Sequence, residues 1–326
     1  MIRTIVGLTV VAGAVLGAGQ QAGPYRASTD LVSVYATVVD ARGRPVTDLT
    51  QADFSIEDNG QAQKITAFGA GTQPFSIVVM IDRSGSMEDH MGAVEDATVS
   101  MVRRLEAGDA ARIGMFSTDV KIRPAEFTND RDELIRLVKD KEGSHGGSPV
   151  WQAVEQSIAA VATQNSRRVV LVVSDGQSDE HPREAQHATS EAISNDVMFY
   201  AIGLTSKAST PLMGYPSIPE PSRFPIPGRD RQRLPAPSRQ PSAPARGPNP
   251  LLRKVADDTG GGFFAPKNHD ELARAVTDIA NELHQQYWLG FVPQTMDGTT
   301  HRITVRVDGQ GLRVRARQAY VADLAK

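Results

Sequence analysis

No cysteine occurs among the 326 residues. Disulfide frameworks, thiolate zinc sites, cysteine nucleophiles and lipid attachment through an N-terminal cysteine are therefore excluded, and any metal must be held by oxygen or nitrogen. An excess of positive charge is also missing: 35 Lys and Arg against 38 Asp and Glu leave a formal net charge of -3. Without a basic field, no nucleic acid is expected as a partner. The chain has no G-x-S-x-G, no H-E-x-x-H and no Gly-rich phosphate loop ending in Lys and Ser or Thr, so the usual motifs of acyl transfer, zinc proteolysis and nucleotide binding are not there. His145 stands near Ser148, yet the glycines around it account for it as a solvent-exposed loop residue. With no nucleophile beside a base and no catalytic metal cage, the expectation is a protein that is not an enzyme. Long apolar runs are lacking beyond the N-terminal stretch, so no later segment is expected to span a membrane.

That N-terminal stretch, MIRTIVGLTVVAGAVLGAGQQ, has a basic Arg3, an apolar run over residues 5–18 and small residues at 17–19. This is the pattern of a secretory signal peptide, assigned to residues 1–22, with an uncleaved anchor as the alternative. Either way the remainder is expected to be exported, periplasmic or secreted, where millimolar divalent cations are usual and ATP is not. A hydrophobic fraction of 40% and a charged fraction of 22% are ordinary for a globular protein, and the length suits two cores better than one.

The hydrophobic period changes along the chain. Residues 31–40 (LVSVYATVVD) alternate as a half-buried strand does. A strand at 54–57, the turn pair Asn59-Gly60 and a strand at 64–68 give a hairpin signal. At Phe75 the pattern becomes FSIVVMID, a continuous apolar run expected of a strand buried on both faces of a parallel sheet. Helices at 88–105, 130–141, 149–164 and 184–195 then alternate with strands at 111–117, 167–176 and 197–204, and Pro124 marks residues 120–127 as an antiparallel edge. Ligands of such a doubly wound α/β sheet bind at the carboxyl ends of its strands, which points to the loops after Ile81, Glu142 and Ser174. Residues 206–249 turn to Pro, Ser, Arg and Gly and read as a disordered insert. A helix stopped by Gly260 to Gly262, a long amphipathic helix at 270–286 and a final alternating region complete the chain.

The predicted fold is thus a doubly wound, mostly parallel α/β domain over residues 73–286. It is inserted in a smaller all-β sandwich formed when the segments 28–72 and 287–323 pair, so that neither leaves a bare edge.

The first buried strand delivers Asp82-Arg83-Ser84-Gly85-Ser86-Met87 onto a loop just before a helix, placing two hydroxyls and a carboxylate together. Hard cations such as Mg²⁺ take oxygen ligands in near-octahedral geometry and need few carboxylates. DRSGSM resembles the D-x-S-x-S element of the metal-ion-dependent adhesion site in von Willebrand factor type A domains. GSHGGSPVWQAV resembles that family's second loop, with Ser148 where Thr is commoner, and LVVSDGQSD resembles its last strand end, carrying Asp175. The resemblance implies that Ser84, Ser86 and Ser148 bind a divalent cation, Mg²⁺ first with Mn²⁺ or Ca²⁺ as alternatives. Asp82 and Asp175 would hold coordinated waters or orient the hydroxyls. One position would stay open for an Asp or Glu of a protein partner. The segments GRPVTDLTQADFSIEDNGQAQKITAF and ELHQQYWLGFVP with HRITVRVDGQGLRVRARQAYVA look like the flanks of exported bacterial proteins related to this family.

The function implied is an exported, metal-dependent interaction module. The alternative is a structural or assembly protein of the cell envelope in which the sandwich and Pro-rich segment bind and the metal only stabilises; a hydrolase is the remaining reading. The helix at 270–286 leads straight into the strand at Tyr287, so a displacement of that helix would reach the sandwich.

Overall fold

The computed structural model describes residues 31–140, 148–176, 181–205 and 248–323. The expected leader and residues 206–247 of the Pro-rich insert lie outside them. In chain order the strands and helices are β1 (Val32–Val39), β2 (Phe54–Asp58), β3 (Gln61–Gln63), β4 (Ile65–Gly69), β5 (Phe75–Asp82), α1 (Met91–Arg104), β6 (Ala110–Phe116), β7 (Val120–Thr128), α2 (Arg131–Val138), α3 (Val150–Ala162), β8 (Arg167–Ser174), α4 (Pro182–Ser194), β9 (Val197–Gly203), α5 (Pro250–Thr259), β10 (Phe263–Phe264), α6 (His269–Gln285), β11 (Tyr287–Phe291), β12 (Thr300–Val307), β13 (Arg313–Ala316) and β14 (Ala319–Val321).

The central sheet runs β10-β9-β8-β5-β6-β7 and is parallel except at β6–β7. Every residue of β5 is buried, because helices cover both faces. Phe75, Ile77, Val79 and Ile81 pack towards α1, α2 and α6. Val78 and Met80 pack towards α3, α4 and α5. The period of two in the side chains thus divides one apolar run between two cores. Pro124 sits on β7, the antiparallel edge, where a missing donor leaves no ladder bond unmade.

The remaining strands make two four-stranded sheets, β13-β1-β11-β4 and β14-β12-β2-β3. Val34, Ala36, Ile56, Tyr287, Leu289, Phe291 and Ile303 fill the space between them. The register Val34↔Leu289 in β1–β11 joins the segments before and after the α/β domain directly.

Three local expectations need correction. Asn59 and Gly60 do turn the chain, with φ of 48° and 80°, but the strand that returns along β2 is β3, pairing Asp58 with Gln61. Residues 65–69 instead cross to the other sheet and pair with β11. Polar β3 has little apolar surface to bury, whereas crossing buries Ile65 and stacks Phe68 on Tyr287 at 6.0 Å. The helix expected from residue 88 begins as a 3-10 turn at Gly85–His90, with α1 starting at Met91. Ser148 lies not at a strand end but on the connection from α2 into α3.

A buried polar network joins the sandwich to the α/β domain. Glu282 on α6 accepts from Thr37 on β1 at 2.9 Å, from Tyr200 on β9 at 2.5 Å and from Arg315 on β13. Gln286 accepts from Arg167 at 2.8 Å and donates to Thr37 at 2.8 Å. Arg167 also donates to the Leu283 carbonyl and stacks on Tyr35 at 5.0 Å. Arg167 opens β8 opposite Phe75 at the amino end of β5, and the expected site lies at the carboxyl end, about 23 Å away along β5 at 3.3 Å per residue; Tyr200, paired with Leu171, lies nearer the middle of the sheet.

Candidate functional site

β5 ends at Asp82, which is fully buried. Its Oδ1 accepts the Ser84 backbone N–H at 2.8 Å, and its Oδ2 accepts the hydroxyls of Ser148 at 2.9 Å and Ser174 at 2.5 Å. One carboxylate thereby fixes three segments that are far apart in sequence. Because each serine spends its proton on Asp82, the lone pairs of Ser148 Oγ remain for another acceptor-seeking group.

Ser84 occupies the position that would cap the following 3-10 turn, but its side chain makes no capping hydrogen bond. Its Oγ lies instead 3.2 Å from Ser86 Oγ. Capping therefore does not explain the pair of hydroxyls. Asp175 follows β8 directly and is buried. Burial raises the Asp82 pKa above the usual carboxylate range, and the nearby charge of Asp175 raises it further, against the hydrogen bonds from Ser174 and Ser84. A cation nearby would offset that repulsion.

Adjacent ligands of octahedral Mg²⁺, each at about 2.1 Å, lie about 3.0 Å apart, close to the Ser84–Ser86 separation of 3.2 Å. Hydroxyl and carboxylate oxygens are the donors such an ion selects. The residues present fit the group. Among the described residues no cluster of three or more His, Asp or Glu side chains forms a conventional cage; the oxygens gathered here are mostly hydroxyls.

All five expected residues meet at this one end of the sheet. Asp82 touches Ser84 and Ser148, Ser86 joins through Ser84, and Asp175 acts on Asp82 by charge.

Residues 76–225 match the von Willebrand factor type A domain. The solved structures with a similar fold include a von Willebrand factor type A protein from Catenulispora acidiphila, at 14% identity and a TM-score of 0.47, covering 89% of this chain and 74% of that one. The conserved hypothetical protein BatB from Bacteroides thetaiotaomicron aligns at 16% identity and a TM-score of 0.45, covering 64% of this chain and 97% of that one. An aerotolerance-related membrane protein from Bacteroides fragilis NCTC 9343 aligns at 14% identity and a TM-score of 0.43, covering 64% and 99%. No curated protein matches the chain. Among the described residues, no helix of this protein is long and apolar enough to cross a membrane.

Three further residues of the α/β domain shape the site. Ser174 donates to Asp82 and accepts from the Gly176 N–H at 2.9 Å; its position directly before Asp175 was the available signal. Arg83, buried between the two ligand candidates on either side, donates to Glu95 on α1 at 3.2 Å and to the Val138 carbonyl at 3.0 Å. It braces the Asp82–Ser86 loop against the end of α2, from which the chain departs towards Ser148. Asn249 packs against Gly176, where φ is +65° and an added Cβ would fall 2.6 Å from Asn249 Cβ. No local pattern marks Asn249 beyond its role as the cap of α5, where it accepts from Leu251 N–H.

Proposed function

We propose that the type A domain is a metal-dependent protein-interaction module, exported by its N-terminal leader. Ser84, Ser86 and Ser148 would hold the ion, with Asp82 and Asp175 orienting hydroxyls and waters around it. Bound there, a divalent cation supplies a Lewis-acidic position that a partner's Asp or Glu can fill. The observation that carries this reading is the pair of hydroxyls of Ser84 and Ser86, 3.2 Å apart and free of capping duty, on a loop fixed by buried Asp82. Asp82 does its part without touching the ion: with both oxygens occupied by protein donors, it sets the direction of the Ser148 hydroxyl. Domains of this family are generally interaction modules and not enzymes, and binding needs no proton transfer from these residues.

Calorimetric titration with Mg²⁺, Mn²⁺ and Ca²⁺ tests the site by itself. Heat of binding at one site is expected for the wild type and none for Asp82→Ala. Capture of a partner from an envelope extract should then require Mg²⁺, fail in EDTA and fail with Asp82→Ala. Absence of heat with all three ions overturns the reading, and capture that survives EDTA moves the contact to another surface.

A further inference from the structure

Between the sandwich and the α/β domain, at the end of the molecule away from the serines, lies a cavity of about 20 Å³. Space of this size holds one water or one halide-sized ion. Its lining includes Tyr35, Arg167, Arg168, Asp196 and Arg317. Three arginines and one carboxylate thus line it, and Asp196 is itself exposed.

The guanidiniums are held in place by other bonds. Arg167 donates through its two terminal nitrogens to Gln286 and the Leu283 carbonyl. Arg168 donates to the carbonyls of Gln164 at 2.8 Å and Asn195 at 2.7 Å. Arg317 donates to Asp196 and to the Ser33 carbonyl, both at 2.5 Å. Four guanidinium Nε atoms among the described residues are buried without a hydrogen-bond partner: those of Arg83, Arg167, Arg315 and Arg317. Of these arginines, Arg167 and Arg317 line the same cavity. Arg167 is 6% exposed, so its idle donor has little recourse to bulk water, and a buried donor left unmade is costly.

We propose that this cavity binds a small inorganic anion of chloride size, clasped between Arg167 of the α/β domain and Arg317 of the sandwich. An uncharged water would satisfy a donor but leave the surplus positive charge of the lining unanswered. An anion answers both needs and ties the two domains together. The site is independent of the metal reading, since it stands on different residues at the opposite end of the sheet.

The test is thermal unfolding of the full chain in sodium chloride, bromide or gluconate at equal ionic strength. Halide at ten times its dissociation constant should raise the midpoint by about 3 °C relative to gluconate. Arg317→Gln should abolish that difference. Asp196→Asn should lower the half-saturating halide concentration by about threefold or more, because it removes the competing negative charge. Asn tolerates the φ of 54° found there, so this variant keeps the assay open if Arg317→Gln does not fold. Crystals grown in bromide should show an anomalous peak in the cavity. Equal midpoints in halide and gluconate, or a bromide data set with no peak in the cavity, would reduce the site to a buried water and end the proposal.

Discussion

Replacing Glu282 by Ala tests whether the sandwich and the α/β domain stand as one unit. The carboxylate accepts from Thr37, Tyr200 and Arg315, on three different strands. Hydrogen bonds to a charged group contribute roughly 1.5–3 kcal/mol each, but the three do not add. The Arg315 side chain is 33% exposed and can rehydrate, and Thr37 keeps its bond from Gln286. Tyr200, fully buried, has its hydroxyl pKa pushed well above normal by burial and by Glu282 itself, and it loses its acceptor outright. A net loss of about 3 kcal/mol is expected, or a fall in Tm of roughly 6–12 °C. Thermal and urea unfolding followed by tryptophan fluorescence measures it. Glu282→Gln, which keeps an acceptor oxygen without charge, should recover about half, and Mg²⁺ titration should be unchanged in either variant because Glu282 bonds to Thr37, Tyr200 and Arg315 and to none of the site's residues. A loss below about 1 kcal/mol would refute the idea that these contacts hold the two parts together.

Other outcomes follow from single side chains. His301 is buried in the sandwich between Asp58, 2.9 Å from Nδ1, and Asp297, 3.3 Å from Nε2. Burial alone would lower its pKa, but the two carboxylates overcome that and raise it. Its stabilising effect is therefore complete below the unfolded value near about 6.5 and is lost as pH rises through the higher folded value. Urea midpoints should fall as pH rises above about 6.5, a trend that His301→Gln should flatten; an unchanged slope in the variant would assign it to other groups. Arg83→Gln removes the brace between Glu95 and Val138, so affinity for Mg²⁺ or Mn²⁺ should drop about tenfold with the circular dichroism spectrum intact. Wild-type affinity in that variant would show that the loop needs no such support.

What the sequence revealed and what it concealed differ by the range of the interaction. FSIVVMID, RRVVLVVS and VMFYAIG read as buried strands because burial on both faces leaves an uninterrupted apolar run, and β5, β8 and β9 are those strands. The type A resemblance rested on short motifs in which each loop carries its own hydroxyl or carboxylate. The bond from Ser174 to Asp82 spans 92 positions, and a serine at a strand end looks like any other in one dimension. Arg83 was legible only as the variable residue of a motif, since its partners Glu95 and Val138 belong to two separate helices. The turn at Asn59-Gly60 was legible, whereas the return strand was misassigned, because the choice between sheets was settled by contacts of Ile65 and Phe68 with residues more than two hundred positions later.

The α/β domain leaves the sandwich after β4 and re-enters it at β11, and these two strands are neighbours, with Gly69 opposite Trp288. Two adjacent tethers, taken alone, leave a body free to rock about them. Thr37 and Arg315, which grip α6, sit on β1 and β13, further along the same sheet. Those off-axis pins remove the rocking motion. A force applied at the serine-rich end would therefore act on a lever with a welded base and reach the sandwich with little loss.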